Sequence, residues 1–281
     1  MQDYYAIPAE EFSRHGDIEF NFVETFEDLC ELVARELVDL LKSNSSKGQL
    51  TKVIFPVGPL DYRLFAELCN QEGVSCESLV VFSMDEYCYA DNTAIPADHP
   101  LSFRAFYQHE LIDLLDADKK LPPEQLILPD PADLDLVRRK MEEYGPIDVA
   151  YGGFGINGHF AFNSPPTEEV DLETFKNTSV RIVELREGDI IQMAMGGTAG
   201  NIEMIPPKGC TIGLRELLSP EQIHLTFMRS WHAGVLRRAL FGPVTPSFPG
   251  SLVQLHPNVK ATITAVAAAL PPLSILQNPG K

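Results

Sequence analysis

Apolar residues in TFEDLCELVARELVDLL (25–41) recur every three or four positions, which predicts an amphipathic helix. The next apolar run, VIFPVG (53–58), is short and carries no charge, as a strand buried on both faces would be. A turn follows, and a second helix is expected from about Asp61. SLVVFSMDEY (78–87) predicts another apolar strand that ends in charged residues. LSFRAFYQHELIDLL (101–115) and PADLDLVRRKMEEYG (131–145) have helical patterns, the latter stopped by Gly145 and Pro146. PIDVAYGG (146–153) is strand-like and runs straight into a glycine-rich stretch.

Further on, CTIGLRELL (210–218) and QIHLTFMRS (222–230) predict a strand, a short helix and a strand. HAGVLRRALFGP (232–243) is a helix closed by Gly and Pro, and ATITAVAAA (261–269) is apolar without a decisive period. TPSFPGSLVQLHP (245–257) is expected as a turn-rich loop, and residues before 25 as a polar leader. Strands alternating with helices predict an α/β fold: one domain over 1–281, with a mostly parallel, doubly wound, Rossmann-like sheet and helices on both faces.

Charge narrows the partners. A formal net charge of −18 argues against nucleic acid, whose phosphates need clustered Lys and Arg, and disfavours an anionic membrane surface. Five cysteines, none in a CxxC pair, fit a reducing compartment, and the N-terminal stretch lacks the long apolar run of a secretion signal, so a cytoplasmic protein is expected.

In a sheet of this kind ligands bind outside the carboxyl ends of the strands. Three predicted strand ends carry the chemistry: Gly58-Pro59, Asp85-Glu86, and the GGFGINGHFAFNSP stretch (152–165). That stretch satisfies GxGxxG, but Pro165-Pro166 forbid the helix a dinucleotide fingerprint needs. Its glycines, Gly153, Gly155 and Gly158, can instead bring backbone close to a ligand, with His159 as proton carrier. Asp85 is a candidate general base, its pKa raised by low-dielectric surroundings. His256, in QLHP, reads as structural. The 152–165 stretch holds no carboxylate to partner His159.

SMDEYCYADNTAIPADHPLSFRAFY (83–107) and GGFGINGHFAFNSP together resemble the glucosamine-6-phosphate deaminase/isomerase family, whose fold the 6-phosphogluconolactonases share. LFGPVTPSFPGSLVQLHP (240–257) extends the likeness, which runs from about 50 to 265. The resemblance implies aldose–ketose isomerisation coupled to loss of ammonia from C2 of an amino-sugar phosphate. It assigns proton transfer between C2 and C1 to Asp85 and opening of the pyranose ring to His159; Glu86 is expected to support the site electrostatically. The family's aspartate two residues before the histidine is Asn157 here, whose carbonyl is expected to accept the imidazole N–H and fix its tautomer. The family's glutamate after the FN pair is Ser164. Where relatives hold phosphate on a GGTP-like loop, this chain has Gly58-Pro59-Leu60-Asp61, in which proline removes a donor and the aspartate repels a dianion. The family's phosphate-binding arginine and lysine fall at Ile190 and His232, and Arg186, Arg229 and Arg237 are the candidates to replace them. GGTAGN (196–201) reads as a lid, with a relocated anion nest as the alternative.

The expected partner is therefore a small sugar or sugar phosphate, with a homo-oligomer left open. No metal or organic cofactor is expected, because a positioned base and polar contacts can stabilise an enediol. A non-catalytic sugar-binding or regulatory protein and a lactonase remain the alternatives.

Overall fold

The computed structural model describes residues 3–58 and 60–271. Its first strand was not expected: β1 (Glu19–Val23) lies in the predicted polar leader and forms one edge of the main sheet. α1 (Phe26–Ser46) follows, opened by Thr25 and Asp28 in a reciprocal capping box. β2 (Thr51–Phe55) leads to α2 (Tyr62–Glu72), whose N-cap is Asp61. β3 (Leu79–Ser83) is followed at once by β4 (Asp85–Cys88), then α3 (Phe103–Glu110), β5 (Leu126–Ile127), α4 (Leu136–Tyr144) and β6 (Val149–Gly152). Next come α5 (Leu172–Lys176), β7 (Arg181–Glu184), α6 (Glu187–Gly197), β8 (Lys208–Thr211), α7 (Leu214–Leu217) and β9 (Gln222–Phe227). The chain closes with α8 (His232–Phe241), β10 (Val259–Thr264) and the short α9 (Ala265–Ala268).

The main sheet runs β1-β10-β9-β6-β2-β3-β5, every neighbouring pair parallel. Alternate residues of its strands enter opposite cores, which is why the strands read as continuous apolar runs. Val53, Phe55 and Val81 pack with α1, α2 and α3; Ile54, Val80 and Phe82 pack with α4, α7 and α8. From β2 the chain proceeds outward through β3 to β5, and from β6 outward through β9 to β10. The order therefore reverses between β2 and β6, the place where an open α/β sheet offers a crevice.

Three expectations are corrected, and one undecided segment is resolved. SLVVFSMDEY is not one strand: after Ser83 the chain leaves the main sheet, and Asp85 and Glu86 belong to a second, antiparallel sheet, β4-β8-β7. The 101–115 pattern is a helix only to Glu110, followed by a 3-10 turn at Ile112–Leu114. Residues 245–257 are not a plain loop, because Pro249–Leu255 form a 3-10 helix whose first five residues are buried. ATITAVAAA divides into the end of β10 and α9. Among the described residues no helix is long and apolar enough to cross a membrane.

Arg237 is fully buried rather than solvated. Its guanidinium donates to the carbonyls of Ile7 (2.9 Å), Ala233 (2.8 Å), Ala268 (2.8 Å) and Ala269 (3.1 Å), tying the N-terminal segment to α8 and α9. It is thereby withdrawn from any phosphate. Arg237→Met should leave these carbonyls without donors and lower the unfolding free energy by about 2–4 kcal/mol, read as a lower urea midpoint.

Candidate active site

β4 holds Asp85 opposite Thr211 of β8. The Phe162 N–H donates to Asp85 Oδ1 at 3.0 Å and lies 3.2 Å from the Thr211 hydroxyl. Burial, the largest influence, raises the Asp85 pKa to about 7 against the lowering effects of Thr211, the Phe162 N–H and the nearby His159. The turn that aims this N–H passes through Ala161, whose φ of 52° is an uncommon, strained value for a residue with a side chain.

Glu86 does different work from that expected. Its carboxylate accepts from the Tyr87 N–H (2.9 Å), the Ser102 hydroxyl (2.9 Å) and the Phe103 and Arg104 N–H groups (3.0 and 3.2 Å). It therefore caps the positive end of α3, and its oxygens are committed to the fold rather than to a substrate.

His159 stands on the loop after β6, at the sheet's reversal point. The Gly155 N–H donates to the His159 carbonyl (3.0 Å), and the Gly158 N–H to that of Gly155 (2.9 Å). A Cβ at Gly155 would overlap the imidazole, so this glycine makes the seat for the ring. Gly158 has φ +82° and lies against the Phe248 ring, and its carbonyl accepts from the Gly250 N–H at 2.7 Å. The 245–257 segment thus braces the histidine loop from outside. Gly153 follows β6 directly, and Gly58 is exposed beyond β2.

The carboxylate missing from residues 152–165 arrives from α6. Asp189, in the first turn of that helix, has Oδ1 3.1 Å from His159 Nδ1. Asn157 Nδ2 donates to the same oxygen (3.0 Å), while the Ser164 hydroxyl (2.7 Å) and the Arg186 N–H (3.2 Å) donate to Oδ2. Burial pushes the Asp189 carboxyl up, but the His159 and Ser164 hydrogen bonds and the field of His159 prevail and hold it at about 2. Asp189 is then an acceptor only, so His159 Nδ1 carries the proton and Nε2 is left for other work. Asn157 does not accept from the imidazole as expected; its carbonyl takes the His159 backbone N–H at 3.0 Å and its amide faces Asp189. Asp85, His159 and Asp189 are 7%, 6% and 3% exposed.

The expected phosphate ligands are not gathered in the same way. His232 Nδ1 accepts from the Met228 (2.9 Å) and Arg229 (3.2 Å) N–H groups, and burial lowers its pKa to about 3, so it brings no positive charge at neutral pH. Ile190 packs partly against the core beside α1 and α2, and exposed Arg229 lies over the Trp231 ring. Arg186 enters the site through its backbone. Pro59 lies outside the described residues; Asp61 Oδ1 caps α2 by accepting from the Leu64 N–H at 3.0 Å. GGTAGN forms no anion nest, because Thr198 and Gly200 N–H groups already donate to the Ala194 carbonyl as α6 ends. Two residues went unforeseen: Asp189, and Arg181 of β7, which shares Thr211 as register partner with Asp85. Arg181 merely opens a short strand, RIVE, and gave no signal of its neighbour; Asp189 is 30 residues from His159.

No family model matches the sequence. Among solved structures, a monomeric glucosamine-6-phosphate deaminase superposes with a TM-score of 0.76 at 23% identity, over 90% of this chain and 100% of its own. The chain shares its fold. A 6-phosphogluconolactonase from Shewanella baltica OS155 gives 0.65 at 18% identity, over 89% and 99%. One from Trypanosoma brucei gives 0.63 at 16% identity, over 90% and 98%. The architecture resembled in sequence is therefore the one observed.

Gly155→Ala tests the seat of the ring. The added methyl should displace His159 from Asp189, shifting the imidazole resonances in NMR spectra while the fold, checked by circular dichroism, is retained.

Proposed function

We propose that this chain is an aldose–ketose isomerase that releases ammonia from C2 of an amino sugar or amino-sugar phosphate. The observation that carries the reading is the joining of two distant loops. Asp85, beyond the end of β3, accepts the Phe162 N–H of the loop that bears His159, beyond the end of β6. Bare His159 Nε2 takes the proton of the C1 hydroxyl and passes it to the ring oxygen, opening the pyranose. The Asp85 carboxylate then removes the C2 proton while the substrate's own ammonium gives a proton to the C1 oxygen, and Asp85 returns its proton to C1 of the resulting enolamine. This leaves a C2 iminium; water adds there, ammonia departs, and the ketose remains. Each positioned proton-transfer group contributes about 10²–10⁴-fold.

A panel of amino sugars and their 6-phosphates should yield ammonia and ketose in equal amounts with wild-type protein. Asp85→Asn should lower kcat/KM by about 10²–10⁴-fold, and equal rates in the two proteins would refute the role. Because the base must be ionised, kcat/KM should climb with pH and level off above about 7. Stability runs the other way. A carboxyl with a folded pKa above its ordinary 3.8 stabilises the fold most at low pH, and that contribution is lost as pH rises through about 7. At pH 8 Asp85→Asn should therefore unfold at higher denaturant than wild type, by about 2–4 kcal/mol.

The Asp61 cap bears on substrate charge. The N-terminus of α2, next to the reversal point, is where a phosphate would find helix N–H groups, and a carboxylate already stands there. Asp61→Ser keeps a capping oxygen and removes the charge. It should improve kcat/KM for a 6-phosphate over the unphosphorylated sugar by about 2–5-fold, from about 0.3–1 kcal/mol of relieved repulsion.

The lactonase neighbours favour a second reading, in which His159 Nε2 activates water for attack on a sugar lactone. Rapid lactone hydrolysis that survives Asp85→Asn would select it.

A further inference from the structure

We infer that Asp189 of α6 is the positioning residue for His159, and that Asn157 and Ser164 serve to hold Asp189 rather than to act on the substrate. The inference deepens the proposed function, resting on it for the role of His159 in turnover but not for the pairing itself.

Three observations converge. The loop that carries His159 supplies no acid anywhere between Gly152 and Pro165, yet His159 Nδ1 has a carboxylate oxygen at 3.1 Å. Asp189 is 3% exposed and receives Asn157 Nδ2, Ser164 Oγ and the Arg186 N–H besides the imidazole, so its four partners leave it tightly placed. Finally, the two loop side chains that meet it are neutral donors, whereas a carboxylate at either position would confront Asp189 at hydrogen-bond distance. Asn157 and Ser164 therefore match an anion delivered by another element. A neutral imidazole held this way has one tautomer, with Nε2 bare and directed by the pairing. During ring opening Nε2 changes protonation while Nδ1–H stays on Asp189, whose charge stabilises the imidazolium form.

The pairing can be read without any substrate. ¹⁵N NMR of wild-type protein above neutral pH should show His159 as the Nδ1–H tautomer. In Asp189→Ala the ratio of Nδ1–H to Nε2–H forms should fall at least fivefold, and in Ser164→Ala it should fall by a smaller factor. Ser164→Ala also serves if Asp189→Ala fails to fold. Adding Ser164→Glu to Asp189→Ala returns an acid to the loop and should restore the tautomer. On a substrate turned over by wild type, Asp189→Ala should lower kcat by at least tenfold with KM little changed, and shift the pH profile. A folded Asp189→Ala protein that keeps the wild-type tautomer overturns the inference, as does a Ser164→Glu second change that restores nothing. If the tautomer responds as stated but no amino sugar is ever turned over, the pairing stands and the proposed reaction falls.

Discussion

A carboxylate taken out of water is destabilising by several kcal/mol unless fixed donors replace its hydration. At the candidate site that requirement falls on Asp189, and its four donors come from three places: the imidazole, two side chains of the loop, and the first turn of its own helix. The neutral residues at 157 and 164 and the anion at 189 are consequently one arrangement. An acid restored to either loop position with Asp189 in place would set like charges side by side in a water-poor pocket, where repulsion is weakly screened. What looks in the sequence like the erosion of two acids is, in space, a single charge supplied from elsewhere.

The sheet supplies the frame in which this can happen. Its order reverses between β2 and β6, so the loops leaving these two strands turn in opposite directions. β4 then departs from the main sheet directly after β3 and presents Asp85 sideways from a second sheet, while Glu86, one residue on and facing the other way, fastens α3. Adjacent carboxylates on one strand point to opposite faces, so their roles separate by geometry alone. One is kept near neutrality by burial; the other is satisfied by a helix terminus.

Much of this was legible along the chain, for identifiable reasons. Strands β3 and β6 are buried on both faces and show as short apolar runs, and α1 shows its buried stripe at Leu29, Val33, Leu37 and Leu41. β1 was hidden because an edge strand with a half-exposed EFNFV pattern carries little hydrophobic signal. β4 was hidden because only Met84 separates it from β3, with no turn residue to mark the change of sheet. Arg237 had the look of a solvated helix charge; its burial depends on carbonyls from Ile7, Ala268 and Ala269, remote segments that no local pattern connects. The resemblance singled out Asp85 and His159, and the structure places them in one buried neighbourhood. It could not reveal Asp189, since an acid in the first turn of a helix is also what ordinary capping favours.

The same acid sits where the site is covered. With Asp85 and His159 both under a tenth exposed, a molecule in solution can touch them only when something covering them withdraws. α6 lies over His159 through Asp189, yet of its eleven residues only Asp189 and Ala194 are buried, while Ile191 and Met195 face solvent. A helix with so little apolar burial is held to the body by the Asp189 network, by the Ile156 N–H on Gln192 and by partly buried Ile190 and Met193, and elements of this kind open at lower cost than the core. The anion at 189 and the seating of α6 are thus one network, in which the same side chain pairs with His159 and accepts from the Arg186 N–H at the start of its own helix.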